Sequence, residues 1–468
     1  MRLERFEVPG LSHYSYLVAS EGQAVIIDPK RDVDTYAGFA AANNLRITHI
    51  LETHIHADYA SGARELAQLT GAEMWLSAHD TSEDFEYQFP HHPMKDGDEL
   101  RIAALRFVAL HTPGHTPEHL SFALYDTKRC TDQPLAIFSG DFVFVGSLGR
   151  PDLLGEAAKQ KLAASLYQSL HGKLKSFGDG VEIYPAHGAG SMCGAGMSDR
   201  PQTTLGYERM CNAFFQEKDE QGFISQILET VPPFPDYYRR MKKVNSDGPK
   251  ILGPLPGGKS LTTDEVQAAI GAGAMVLDLR RPEAFGGAHI PGSINIGAGP
   301  SLSTWASWLL PYETPIILVG DAATDHEQAR RSLIRVGLDD ISGSLKGGVT
   351  AWIEAGLPQA HLPQISVEEL LQKKESYVLD VRGDTEWNGG HIDGAQHLMA
   401  GEIPKRLSEV KQGREVHVIC GSGYRSSAVA SLLRRRGTQA VFNVVGGMTA
   451  WNKRGLPVAR QAGATCAR

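Results

Sequence analysis

The chain has 468 residues, 42% of them hydrophobic and 21% charged, with a formal net charge of -8 at pH 7. That length exceeds one ordinary domain and suggests three, each able to bury its own core, in a soluble globular protein. The acidic balance speaks against nucleic acid or an anionic membrane as the main partner, because neutralising phosphates calls for a basic excess. No basic-then-apolar leader occupies Met1 to Gly10, and no apolar run approaches the roughly 20 residues that cross a bilayer, so the expectation is a cytoplasmic protein. Cys130, Cys193, Cys211, Cys420 and Cys466 are too few and too scattered for a disulfide framework, so those that matter should act as thiols.

In chain order, Tyr16-Leu17-Val18-Ala19 and Ala24-Val25-Ile26-Ile27 read as short strands, the second closed by Asp28-Pro29. The apolar run Ile47 to Leu51 then ends in Thr53-His54-Ile55-His56-Ala57-Asp58, which places two imidazoles and a carboxylate on a loop where a strand has just finished. Ala63 to Leu69 carries apolar residues at helical spacing and stops at Gly71. Three further fragments continue the theme: His111-Thr112-Pro113-Gly114-His115, Phe138-Ser139-Gly140-Asp141 at the end of another apolar run, and Tyr184-Pro185-Ala186-His187-Gly188.

Residues 1–245 read as the first domain. The stretch 246–259, with Gly248-Pro249 and Gly253-Pro254-Leu255-Pro256-Gly257-Gly258, is too rich in Pro and Gly to continue a helix or a central strand and reads as a linker. Beyond it the chain repeats itself at a period of about a hundred residues, which means tandem domains rather than a solenoid. Val276-Leu277-Asp278-Leu279-Arg280 and His289-Ile290-Pro291-Gly292 return as Val378-Leu379-Asp380-Val381-Arg382 and His391-Ile392-Asp393-Gly394. Gly347-Gly348-Val349-Thr350-Ala351-Trp352 returns as Gly446-Gly447-Met448-Thr449-Ala450-Trp451. The copies span 260–360 and 364–460, each alternating strand and helix as parallel sheets do, and 461–468 reads as a disordered tail.

The order of the histidine and aspartate fragments resembles the metallo-β-lactamase superfamily, and the two copies resemble rhodanese. The resemblance implies an α/β fold class: an αββα sandwich with its metal loops at one edge, followed by two rhodanese-like α/β domains with parallel sheets. Within the superfamily, His54, His115 and Asp141 match the three ligands of the persulfide dioxygenases, which hold a single Fe(II). Two His and one carboxylate on one side leave open positions for substrate and O2. A zinc site is the plainer alternative. Binuclear relatives of the glyoxalase II type read His-x-His-x-Asp-His, but here the last position is Tyr59, and a phenol with pKa near ~10 is a poor metal ligand. One metal is therefore expected, with His56, Asp58 and His187 beside it, hydrogen-bonding bound water or substrate, or serving as further ligands. Arg150, in Gly149-Arg150-Pro151-Asp152, matches an arginine near the dioxygenase metal; it either holds an anionic persulfide, orients the site or forms a solvated salt bridge. Cys193 is read either as a sulfur-handling thiol at the metal pocket or as a small buried loop residue.

In the second copy the apolar strand Val416 to Ile419 ends in Cys420-Gly421-Ser422-Gly423-Tyr424-Arg425-Ser426 ahead of a helical run. A cysteine there faces backbone N–H groups and the positive end of a helix, so its pKa should fall and its thiolate act as nucleophile, with Arg425 closing the loop and favouring anions. Aligning the copies on their strands puts Gly320 at the place of Cys420 and Asp325 at the place of Arg425. The first copy should be catalytically silent, a spacer or docking surface.

The domain order resembles fused persulfide dioxygenase sulfurtransferases of bacterial sulfide detoxification. It implies oxidation of a low-molecular-weight thiol persulfide, such as that of glutathione or CoA, by O2 to thiol and sulfite, and transfer of sulfane sulfur through Cys420 to sulfite to give thiosulfate. The chain is compatible with a homo-oligomer. Two rival expectations are a zinc thioester hydrolase of the glyoxalase II type with accessory rhodanese domains, and a non-enzymatic persulfide sensor.

Overall fold

Period-two alternation along short runs, with apolar side chains on both faces, builds two six-stranded sheets in the N-terminal part of the computed structural model. The structure describes residues 1–79, 86–231, 234–322, 324–373, 376–411 and 413–460; the tail 461–468 lies outside them. Met1–Gly253 together with Ile334–Gly337 form one unit, and Pro254–Leu333 with the chain from Leu338 onward form a second.

In the first unit, one sheet runs Arg2–Val8, His13–Ser20, Gln23–Ile27, Arg46–Leu51, Glu73–Ser77 and His92–Met94 in space as in sequence. The other runs Glu99–Ile102, Leu105–His111, Leu120–Asp126, Ala136–Gly140, Glu182–Pro185 and Thr203–Thr204. Their facing sides meet in a core of Tyr16, Val18, Val25, Ile27, Leu51, Phe107, Phe122 and Phe138. The alternate residues Leu17, Ala24 and Ile26 face outward onto Tyr36, Ala40, Ala63 and Leu66 of the covering helices. On the far side Ala163, Leu166 and Leu170 of the helix Glu156–Lys173 pack on Ala123, Ile137 and Ile183. This is the expected αββα sandwich.

Strand direction gathers the histidine and aspartate loops. Leu105–His111 and Ala136–Gly140 are both antiparallel to Leu120–Asp126, and Glu182–Pro185 is parallel to Ala136–Gly140. His115, Asp141 and His187 therefore follow strands that end at the same sheet edge. Gly140 has φ +55°, and a Cβ there would lie 2.6 Å from both His119 Nε2 and Thr53 Oγ1, so the turn into Asp141 admits only glycine. The helix Tyr237–Asp247 extends two residues into the stretch read as linker, so Ser246 and Asp247 are helical.

In the second unit each copy is a five-stranded parallel sheet of one topology. The first runs Ser260–Leu261, Ile341–Leu345, Ile316–Val319, Met275–Asp278 and Ile294–Asn295. The second runs Gln364–Ile365, Val441–Val444, Val416–Ile419, Tyr377–Asp380 and Gln396–His397. Their cores correspond, with Val276, Val349 and Trp352 in one and Val378, Met448 and Trp451 in the other. Asp278 pairs with Arg280 at 2.6 Å and Asp380 with Arg382 at 2.7 Å, so the repeated Asp-x-Arg is a buried structural clamp.

Leu166 is fully buried and touches the loop carrying His115, since a Cβ on Gly114 would come within 2.5 Å of the Leu166 Cβ. Leu166→Ala is expected to cost about 2–5 kcal/mol by removing packed methyl groups and leaving a cavity. Denaturant unfolding of the full chain, following the transition of the first unit, measures it.

Candidate metal centre and reactive thiol

Three ligand atoms converge at the sheet edge. His54 Nε2, His115 Nε2 and Asp141 Oδ2 lie within 4.8 Å of one another, all buried, with His54 and His115 3.8 and 3.4 Å from the carboxylate oxygen. None of the three has a hydrogen-bond partner. Burial without partners is costly for such atoms, and an ion held between them removes the cost.

The surroundings fix the tautomers. Thr53 Oγ1 donates its proton to Asp28 Oδ2 at 2.9 Å, so its 3.0 Å contact with His54 Nδ1 requires His54 to donate there. His115 Nδ1 donates to the Arg150 carbonyl at 2.9 Å. Both rings thus present an Nε2 lone pair, the form a metal binds. Burial holds both histidines well below the usual imidazole pKa, helped by His56 at His54 and by Lys242 at His115.

Asp141 is held from two sides. His119 Nε2 accepts its backbone N–H at 3.1 Å while His119 Nδ1 donates to Thr112 Oγ1 at 2.8 Å; burial drives this neutral histidine down to about 3. On the other side His187 donates through Nδ1 to Asp141 Oδ1 at 2.7 Å and through Nε2 to Asp58 Oδ2 at 2.9 Å. Burial opposes its charge, but Asp141 and Asp58 outweigh that and raise its pKa well above the ordinary value.

Asp58, His187 and Cys193 form a second group whose ligand atoms lie within 4.8 Å of one another. Both nitrogens of His187 lie at hydrogen-bond distance from carboxylates, Nδ1 from Asp141 and Nε2 from Asp58. Tyr59 turns away, its hydroxyl donating to the Asp28 carbonyl at 3.3 Å. His56 likewise faces Asp28, with Nε2 3.2 Å from Oδ1; burial opposes its protonation, but the Asp28 charge and hydrogen bond win and its pKa is raised. The second group has the chemistry of a support for Asp141.

The guanidinium of Arg150 is buried and occupied, donating to Asp152 at 2.7 and 2.8 Å and to the Met192 carbonyl at 3.0 Å. Burial corrects one of its readings, since the salt bridge is not solvated, and its carbonyl orients His115. Cys193 is buried beside Asp58 and His187, its Sγ 3.9 Å from the Tyr238 hydroxyl. Burial and then the Asp141 and Asp58 charges push its thiol well up.

Several residues that shape the centre carry no signal in the sequence. Asn245, on the helix Tyr237–Asp247, donates to the carbonyls of His56 at 2.8 Å and Tyr59 at 2.7 Å and so pins the histidine loop. Lys242 on the same helix is brought down to about 8 by burial, against the pull of Glu118, Cys193 and Asp141. Asp28 had one legible sign: like Asp141, it is a carboxylate placed directly after an apolar strand.

In the second copy Cys420 follows the strand Val416–Ile419, and its Sγ accepts the Gly423 N–H at 3.1 Å; Ser426 Oγ lies 3.4 Å from the sulfur and gives its proton to Asn443 Oδ1 at 2.6 Å. Gly447 has φ +52°, and a Cβ there would come 2.3 Å from the Cys420 carbonyl. Gly348 stands in the same relation to Gly320, also at 2.3 Å, so Gly320 does occupy the cysteine's place in the first copy. Asp325 does not take the place of Arg425. The first copy's loop is longer, and Asp325 caps the helix His326–Ile334 by accepting the Gln328 N–H at 2.9 Å, whereas Arg425 lies inside the helix Tyr424–Arg435. Arg425 is paired with Glu386 at 2.5 and 2.7 Å. Burial raises Glu386, but Arg425 outweighs it and holds the carboxyl below its usual range.

The metallo-beta-lactamase superfamily profile matches residues 8–187, and the rhodanese-like domain profile matches 262–355 and 365–454. A metallo-beta-lactamase of known crystal structure from Staphylococcus aureus subsp. aureus COL is 36% identical, with a TM-score of 0.65 over 73% of this chain and 98% of that one. A hydroxyacylglutathione hydrolase of Francisella tularensis subsp. novicida (strain U112) is 32% identical over 178 residues, 38% of this chain. The chain spans 63% of that relative's length. The chain belongs to the metallo-beta-lactamase superfamily and carries two rhodanese-like domains behind that fold. No described helix is long and apolar enough to cross a membrane.

Thr53→Val keeps the shape but removes the oxygen that holds His54 Nδ1. Metal affinity is expected to fall about 10–100-fold, as for other lost partners of ligating histidines, measured by competition with a chromogenic chelator.

Proposed function

We propose that the chain oxidises a low-molecular-weight thiol persulfide with O2 to thiol and sulfite at a single Fe(II) held by His54, His115 and Asp141, and that Cys420 transfers sulfane sulfur to sulfite. The observation that carries this reading is the convergence of two Nε2 lone pairs and one carboxylate oxygen while both nitrogens of His187 are spent on carboxylates. Such a donor set suits a non-haem Fe(II) centre with open positions. An Fe(II) ion bound there supplies the redox capacity to join O2 to sulfur.

The chain's own residues do the rest. His187 and His119 hold Asp141 from opposite sides, Thr53 and the Arg150 carbonyl aim the two imidazoles, and Lys242 supplies positive charge near Asp141 and Cys193. A persulfide anion entering the pocket meets that cation, and the protonated Cys193 thiol can donate a hydrogen bond to it. Overall, persulfide, O2 and water give thiol, sulfite and two protons. At the other site the Cys420 thiolate attacks the outer sulfur of a persulfide and expels the thiol. Sulfite then attacks the Cys420 persulfide, releasing thiosulfate and restoring the thiolate, so that one transfer becomes two displacements. The N–H of Gly423 stabilises charge on that sulfur in both steps.

The hydrolase reading draws on the hydroxyacylglutathione hydrolase relative and would need a second metal at Asp58 and His187. The hydrogen bonds of His187 and the turned-away Tyr59 speak against it.

Oxygen uptake on glutathione persulfide tests the proposal. Cys420→Ser is expected to abolish thiosulfate formation while leaving uptake within about twofold, and Asp141→Ala to reduce uptake by at least about a hundredfold while sparing sulfur transfer to added sulfite. Loss of both activities from either change would contradict this division of labour.

A further inference from the structure

The Cys420 loop is not built by its own copy alone. The helix that follows it, Tyr424–Arg435, is bonded at several points to the first copy. The Tyr424 hydroxyl donates to the Gly297 carbonyl at 2.7 Å, and a Cβ on Gly297 would come within 3.2 Å of the Tyr424 ring. Asn295 is buried between the copies. Its Oδ1 accepts from Ser427 Oγ at 2.6 Å and its N–H donates to Ser431 Oγ at 3.0 Å, while its Nδ2 donates to the Asp278 and Arg280 carbonyls at 3.1 and 2.9 Å. One side chain therefore ties the first copy's sheet end to the catalytic helix of the second.

Two tryptophans add a side wall. Trp305 and Trp308 stand three residues apart on the helix Leu302–Leu309 and so share a face. Trp308 packs so close to Gly401 of the second copy that a Cβ there would lie 1.8 Å from its ring. Trp305 presents its ring to Arg425, whose guanidinium carbon sits 5.8 Å from the ring centroid. On its other edge that guanidinium is paired with Glu386, and one terminal nitrogen lies 3.1 Å from where a Gly421 Cβ would be, against the Cys420 loop.

We infer that the silent copy is a working part of the sulfur-transfer site, and that Trp305 is a positioning residue that holds Arg425 in the orientation that receives an anionic sulfur donor. The inference rests on the reading of Cys420 as the transferring thiol. The Glu386 carboxylate is partly exposed, and a pair of that kind fixes a long side chain only weakly. The indole face supplies the second constraint, through cation–π attraction and by blocking rotation away from the loop. The first copy has glycine at the cysteine's place yet has a fold that the second copy's catalytic helix is bonded to.

The test is steady-state transfer from thiosulfate to cyanide by the full chain. The Cys420 thiolate takes the outer sulfur with release of sulfite, and cyanide takes it on as thiocyanate. Trp305→Ala is expected to raise KM for thiosulfate about three- to thirtyfold with kcat within about twofold, and Trp305→Phe to restore KM to within about twofold of the parent. An unchanged KM in Trp305→Ala, or a fall in kcat alone together with a lower unfolding midpoint, would overturn the role. Should Trp305→Ala fail to fold, Tyr424→Phe removes only the hydroxyl bonded to Gly297 and is likewise expected to raise KM; an unchanged KM there overturns the inference. A parent chain without transfer activity, or one whose Cys420→Ser variant still transfers, would remove the reading of the thiol and this inference with it. An active parent with an indifferent Trp305→Ala removes the inference alone.

Discussion

Asp141 faces two ways, and the centre depends on it. Its Oδ1 receives the His187 proton at 2.7 Å while its Oδ2 is turned toward His54 and His115. A carboxylate with no exposed surface is expensive unless paired, and His187, charged between Asp141 and Asp58, is what offsets that cost. The three charges sum to one negative, which the charge of Lys242 complements. The same bridge joins Asp141 to the second group of candidate ligands, Asp58 and His187.

Around that carboxylate, orientation comes from oxygen atoms that can only accept. The Asp28 carboxylate forces Thr53 to donate to it, which forces His54 to donate to Thr53; the Arg150 carbonyl does the same for His115. Each ring is set by a partner on the side away from the site, so a change several ångströms from the metal is felt as a change of tautomer. The fold makes this affordable by ending several strands at one edge and by placing Gly140 and Gly149 where a Cβ would strike Thr53 and the Asp141 carbonyl.

What a single sequence discloses here is whatever sits next to its own strand end. His54, His115, Asp141 and Cys420 each follow an apolar run within a few residues, and the repeat of Asp278-x-Arg280 as Asp380-x-Arg382 showed two copies of one fold. The supports were hidden because they come from far along the chain: Asn245 reaches back 189 residues to His56, and nothing in its neighbours marks it. Arg150 stood in the right place, but its guanidinium was already committed to Asp152, a fact of burial that spacing does not carry. Asp325 was misplaced because strand alignment ignores a longer loop, and in that loop it became a helix cap. The first copy's want of a cysteine was legible at Gly320, whereas its contacts with the second copy lie at Trp305 and Asn295, which no periodicity distinguishes.

The most direct measurement is the metal content of the purified chain, read by elemental analysis. One iron per chain, with oxygen uptake lost on chelation and restored by Fe(II) but not by zinc, is the result the account predicts. Two zinc ions per chain in a protein that consumes no O2 would contradict it.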